Sequence, residues 1–303
     1  MLPSLRQLRF LVALADELHF SRAAEVCNVT QSTLSSGLKE LETTLGVSLA
    51  ERTKRSVVMT PVGREIAERA RALLADARDI VDLAAGRAGT LRGDLALGTI
   101  PTIGPFLIPK MLPTLRQTFP ELRLYLREEL TDSLIAGLKS GRLDVILIAL
   151  PYEIGDLAVA PLFEDGYQLM TPPSHPLAAL SQVTGKDLAE RRLLLLEKGH
   201  CLQRHALSAF PEIMALRDET FAATSLSTLI AMVEEGLGLT LLPQLSVDAG
   251  VTRGHHVALT PLEGACPRQV VLVWRPTSVR APDFEALGDI FRTTRETLAN
   301  RAR

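Results

Sequence analysis

Residues 199–202 read Gly199-His200-Cys201-Leu202, a thiol beside an imidazole, between a predicted strand at 193–196 and a predicted helix at 202–210. A thiol at a helix N-terminus meets partial positive charge, which favours the thiolate. His200 and Arg204 stand close in sequence and add to that bias. Thiolate is the form that attacks a peroxide, giving a sulfenic acid. Thr102, in Gly98-Thr99-Ile100-Pro101-Thr102-Ile103-Gly104-Pro105, and Thr131, in Leu130-Thr131-Asp132, each stand at the start of a predicted helix. Their hydroxyls could orient a small polar oxidant if the fold brings them near. Each residue also has an ordinary explanation. A free Cys is most often a small buried hydrophobe. A Thr ahead of a helix most often caps it. On the residues alone both explanations stay open.

A second constellation lies near the N-terminus. Thr30 is placed to cap a helix whose Leu34, Leu38, Leu41 and Leu45 form one apolar stripe, and Gly46 ends it. The opposite face offers Gln31, Ser32, Thr33, Ser35, Ser36 and Lys39. Side chains of these types reach base edges and phosphates when a helix enters the major groove. Gly37 removes bulk where the helix approaches another backbone. Residues 49–60 read as a basic turn between two short strands, a wing on which Arg52, Lys54 and Arg55 could neutralise phosphates. The competing explanation is a small helical domain with a solvated polar face.

These residues need elements to position them. Residues 4–18 have helical spacing in Leu5, Leu8, Leu11 or Val12, and Ala15. Ser21 is expected to cap a second helix, and Asn28 suits a turn. Pro61 opens a segment without further proline to residue 88, about 28 residues or roughly 40 Å of helix. Such a helix links domains or dimerises them. Beyond it, strand patterns at 95–99, 121–127, 143–149, 193–196, 238–242 and 269–274 alternate with helical ones at 104–118, 131–140, 202–210, 225–235 and 282–301. That alternation predicts an α/β domain with mostly parallel strands. Residues 160–167 and 259–269 suit crossovers between two lobes.

Composition narrows the class. The 303 residues carry 47% apolar and 22% charged side chains, as soluble multidomain proteins do. No apolar run reaches membrane-spanning length, and no charged-then-apolar leader opens the chain, so a cytoplasmic protein is expected. Cys27, Cys201 and Cys266 are too scattered for a disulfide framework and lack zinc-ligand spacing. No metal or other cofactor is expected. Net charge is −2; residues 1–90 hold 12 Lys+Arg against 11 Asp+Glu, or +1, leaving −3 for the remainder. DNA contact therefore needs a local basic face.

The stretch AAEVCNVTQSTLSSGLKELETTLGVSLAERTKRSVVMTPVG closely resembles the N-terminal domain of LysR-type transcriptional regulators. The resemblance rests on the Ala-Ala pair, Val-Thr-Gln, Leu-Ser, Leu-Glu, Leu-Gly, Glu-Arg and Thr-Pro-Val-Gly in fixed spacing. One departure is Ala50, where the family has a larger side chain before Glu-Arg; we read it as a packing change. The resemblance implies an α-helical winged helix-turn-helix over 1–60 and a linker and dimerisation helix over 61–89. It implies an α/β effector domain over 90–303, two-lobed and of periplasmic-binding-protein type. Lobe I takes about 90–163 and 269–303, and lobe II about 164–268. It further implies a tetramer, a dimer of dimers, on pseudo-palindromic double-stranded DNA, with RNA polymerase as an expected partner.

LEKGHCLQRHAL, IPTIGPFLIPKMLPTLRQTFPEL and ATSLSTLIAMVEEGLGLTLLP are similar to the peroxide-sensing, OxyR-like branch of that family, as is LRQLRFLVALADELHFSRAAEVC. That likeness implies that Cys201 is the peroxide-reactive thiol and that Thr102, Thr131 and His200 line its pocket. The branch also carries a resolving Cys nine positions after the first. Phe210 stands there, so a 201–210 disulfide is impossible. Three switches remain open: Cys201 forms a sulfenic acid or a mixed disulfide, it pairs with Cys266, or redox sensing is lost and the pocket takes another ligand. The rival function is a LysR-type regulator of a small anionic metabolite. A dedicated enzyme is not expected, because no Asp or Asn completes a nucleophile–base array around Cys201 and His200 or His205.

Overall fold

The computed structural model describes residues 2–52, 57–84, 91–188, 191, 193–197 and 217–302. They gather into two compact units, Met1–Arg87 with Ala136–Leu143, and Ala88–Ile135 with Asp144–Arg303.

In the first unit, α1 (Leu5–Glu17) starts at a capping box: the Ser4 hydroxyl accepts from the Gln7 amide, and the Gln7 side chain accepts from the Ser4 amide. The helix ends where Leu18 turns left-handed at φ 48°. That early turn makes His19, not Ser21, the cap of α2 (Phe20–Val26), with the imidazole accepting from the Arg22 amide. Ser21 lies inside α2 and donates to Gln31 Oε1 at 2.9 Å. Helix α3 (Gln31–Leu45) is capped by Thr30 and closed by Gly46 at φ 70°. Leu34, Leu38 and Leu41 are buried against Leu8, Leu11, Leu14, Ala23, Leu49 and Met59, while Leu45 is partly buried. Gly37 makes room for an aromatic ring rather than a backbone: a Cβ there would lie 2.7 Å from Phe10. Cys27 packs in this core, its thiol directed at the Arg9 carbonyl.

Strands β1 (Ala50–Arg52) and β2 (Val57–Met59) pair antiparallel, as expected for a wing. Ala50 is partly buried beside the same core. Helix α4 (Pro61–Ala84) follows at once, and the Thr-Pro-Val-Gly sequence explains why. Thr60 Oγ1 accepts from the Gly63 amide at 2.9 Å, and Pro61 takes the first helical position. A Cβ on residue 63 would sit 2.0 Å from the Leu49 carbonyl oxygen, so only glycine lets the helix leave the wing here.

The second unit contains β3 (Gly93–Thr99), α5 (Gly104–Thr118), β4 (Leu122–Glu128), the start of α6 (Thr131–Lys139, assigned to the first unit from Ala136), β5 (Val145–Leu150), β6 (Ala158–Asp165) and β7 (Tyr167–Thr171). It continues through α7 (Gly185–Leu188), β8 (Leu193–Leu196), β9 (Arg217–Ala223), α8 (Leu226–Glu234), β10 (Thr240–Pro243), α9 (Gln244–Asp248), β11 (Ala258–Pro261), β12 (Arg268–Trp274) and α10 (Ala281–Ala302). One sheet runs β4-β3-β5-β12-β6, a second β10-β7-β11, and β8 pairs with β9. The expectation of mostly parallel strands is corrected. Among the described strand pairs only β3–β4, β3–β5 and β8–β9 are parallel; β12 returns late in the chain and inserts antiparallel between β5 and β6. The chain leaves the larger sheet at Asp165 and joins the three-stranded one at Tyr167; it returns between Pro261 and Arg268. Segments read as crossovers thus do cross, but within paired strands. Among the described residues no helix is long and apolar enough to span a membrane.

Candidate functional site

The polar face of α3 is presented as the stripe of leucines dictates. With Leu34 and Leu38 buried, Gln31, Ser32, Thr33, Ser36 and Lys39 are exposed, and Ser35 is half-buried. Two of these side chains are held. Gln31 Oε1 accepts from Ser21, which orients its amide donors outward, and the Thr33 hydroxyl lies 2.8 Å from that of Thr30. Arg52 ends β1. Lys54 and Arg55 lie outside the described residues, as do His200, Cys201, Phe210 and the predicted helix 202–210.

In the second unit Thr102 and Thr131 follow the carboxyl ends of the adjacent parallel strands β3 and β4. Ligands of α/β sheets bind outside that edge. Both threonines are buried, each 1% exposed. Neither caps a helix. Ile103 precedes α5 with no side-chain cap, and Thr131 Oγ1 has no hydrogen-bond partner among the described residues. A buried hydroxyl without a partner costs about 1–3 kcal/mol, so the ordinary capping explanation fails for both.

Thr102 is held by a residue that the sequence reading missed. Arg268, at the start of β12, donates through Nη1 to Thr102 Oγ1 at 2.8 Å and through Nη2 to the Thr102 carbonyl at 3.1 Å. Its Nε and Nη2 also donate to Asp165 Oδ2, at 3.0 and 2.9 Å. Both side chains of this ion pair are fully buried. Asp165 stands directly across the ladder from Arg268, and its other oxygen accepts from the Leu245 amide at 2.7 Å. The signal in the sequence is one charge, Arg268, opening an otherwise apolar strand run. Nearby, Leu150, Pro151, Tyr152, Glu153, Pro267 and Gln269 line an open depression of about 520 Å³. Cys266, next to it in sequence, is exposed and unpaired.

Comparison with known proteins agrees with both units. Residues 5–64 match the family described as bacterial regulatory helix-turn-helix protein, lysR family, and residues 88–296 match the LysR substrate binding domain. The DNA-binding transcriptional dual regulator OxyR of Escherichia coli is 41% identical over 289 residues, 95% of each chain. The HTH-type transcriptional regulator EstR of Acinetobacter baylyi is 39% identical over 98% of this chain and 99% of its own. A full-length OxyR variant from Pseudomonas aeruginosa superposes with a TM-score of 0.81 at 36% identity, covering 96% of this chain and 95% of that one. An H2O2-bound OxyR variant from Corynebacterium glutamicum gives 0.66 at 32% identity, covering 100% and 95%. The chain belongs to the LysR family of DNA-binding transcription regulators, in its OxyR-like branch.

Proposed function

We propose that this regulator senses hydrogen peroxide through Cys201 and changes its grip on DNA without a 201–210 disulfide. The observation that carries the proposal is the pair of buried threonine hydroxyls at the carboxyl edge of the sheet, one pinned by Arg268 and one with no partner among the described residues. Buried hydroxyls spared from capping suit a small polar ligand. Similarity to proteins named hydrogen peroxide-inducible genes activators supports the same reading. In it, Cys201 is the reactive thiol, and Thr102, Thr131 and His200 line the pocket. The oxidised product is a sulfenic acid or a mixed disulfide with a small thiol, because Phe210 offers no sulfur. Pairing with Cys266 is the alternative route.

On the output side, Gln31, Ser32, Thr33, Ser35, Ser36 and Lys39 read or flank bases, and Arg52, Lys54 and Arg55 contact phosphates. Residues 1–60 form the DNA-binding domain, 61–89 the linker, and 90–303 the effector domain with lobes divided near 163 and 269. The linker helix dimerises; Leu73 and Ile80, seven residues apart on α4, are more than half exposed within one chain, as an unpaired seam would be. The assembly is a homotetramer on pseudo-palindromic DNA that works with RNA polymerase in the cytoplasm, and the protein is a stoichiometric sensor rather than an enzyme.

A second reading, a small-molecule effector, draws support from the 520 Å³ depression, far larger than a peroxide needs. Among the described residues its lining includes Glu153 and no cation, which disfavours an anion there. Mass spectrometry after dilute peroxide, with dimedone to trap sulfenic acid, tests the proposal. We expect a dimedone adduct on Cys201. An unmodified Cys201 with unchanged DNA binding overturns it.

A further inference from the structure

We propose that Asp165 is a positioning residue: by holding Arg268 against Thr102 it fixes the Thr102 hydroxyl as a hydrogen-bond donor to a bound peroxide oxygen. The inference deepens the peroxide reading and rests on it. Its basis is the direction of the bonds. A guanidinium only donates. Arg268 Nη1 therefore occupies a lone pair of Thr102 Oγ1, and the hydroxyl proton is left to point elsewhere. Among the described residues no acceptor takes that proton. Rotation of Arg268 would free the hydroxyl to accept instead. Asp165 prevents the rotation, because Oδ2 receives both Nε and Nη2 while Oδ1 is anchored by the Leu245 amide in the first turn of α9.

Donor polarity matters for the reaction. The Cys201 thiolate sulfur attacks one peroxide oxygen. The S–O bond forms as the O–O bond breaks, sulfur loses two electrons, and the departing oxygen leaves as hydroxide that takes a proton to become water. A fixed donor stabilises the charge that develops on the departing oxygen. A hydroxyl turned to accept would oppose it. Charge alone makes the contrary prediction. Asp165 neutralises Arg268, so removing the carboxylate makes the region more positive and favours the thiolate.

Asp165→Asn separates the two in the full-length protein. Positioning predicts that the peroxide-dependent rate of Cys201 sulfenylation falls about tenfold or more, while alkylation of Cys201 by iodoacetamide holds or rises. Thr102→Val gives a similar peroxide loss, and combining the two adds little, as expected of residues acting through one bond. Asp165→Glu keeps the ion pair but displaces the guanidinium by a methylene. It serves if Asp165→Asn, with a buried Arg268 that has lost the Asp165 carboxylate, fails to fold. It is expected to slow the peroxide step with alkylation unchanged. Peroxide rates equal to wild type in the folded variants overturn the inference, as does a parallel fall in both rates. A wild-type protein whose Cys201 ignores peroxide overturns the peroxide reading itself, and this inference with it.

Discussion

Arg268 carries the largest consequence of any single side chain here. It is the largest fully buried polar residue described, and its charge faces Asp165 across the ladder with Thr102 beside it. Taking two ions out of water is costly, and the attraction between them offsets that cost only while both are present. Arg268→Met leaves Asp165 buried without its cation. It is expected to destabilise the effector domain by about 3–5 kcal/mol in denaturant unfolding. Adding Asp165→Leu should recover most of that loss while peroxide reactivity stays low, which separates folding from sensing. Beyond the single charge that opens the β12 run, none of this was visible in the sequence. Arg268 and Asp165 are 103 residues apart, and only the antiparallel insertion of β12 beside β6 makes them neighbours. Thr102 and Thr131 were legible as candidates from their place before helices. That they cap nothing required coordinates.

At the scale of elements, local chemistry made much of the fold legible. Thr30 and Gly46 bound α3 as their types predict, and Pro61 opens α4. Helix α5 runs over the predicted residues 104–118 despite Pro109 and Pro113, because its apolar face carries the pattern. The misreadings also have local causes. Ser21 was a reasonable cap until Leu18 turned left-handed and moved the start of α2 to His19. Strands β6 and β7 were hidden by Pro161 and Gly166, which read as connection rather than strand. Strand direction was beyond reach, since pairing across a hundred residues leaves no local mark. One cap yields a pH prediction. Hydrogen bonds from the Thr184 hydroxyl and amide hold the Asp187 carboxyl below the usual carboxylate range. A carboxyl lowered in the folded state stabilises it fully above the unfolded value, about 3.9. That contribution disappears as pH falls through the lower folded value. Wild type should therefore melt above Asp187→Asn at pH 6–7, and the difference should vanish in strong acid. Thermal unfolding of both proteins across that range checks it.

At the scale of the molecule, the chain joins a DNA-reading unit to an effector unit with three described sheets, and its family membership explains why both occur in one protein. The helix-turn-helix was the most legible part, because its function is written in contiguous residues on one helix. The buried polar cluster of the effector unit was the least, because Thr102, Asp165 and Arg268 come from segments far apart in the chain. Phe210 stands where the disulfide switch of that branch needs a second thiol, so the signal proposed above starts at Cys201. The most direct test is the DNA protection pattern of the full-length protein on a target promoter, before and after peroxide, run beside Cys201→Ser. The account predicts that peroxide changes the pattern of the wild type and leaves that of Cys201→Ser fixed. A wild-type pattern that ignores peroxide, or a Cys201→Ser pattern that still responds, would contradict it.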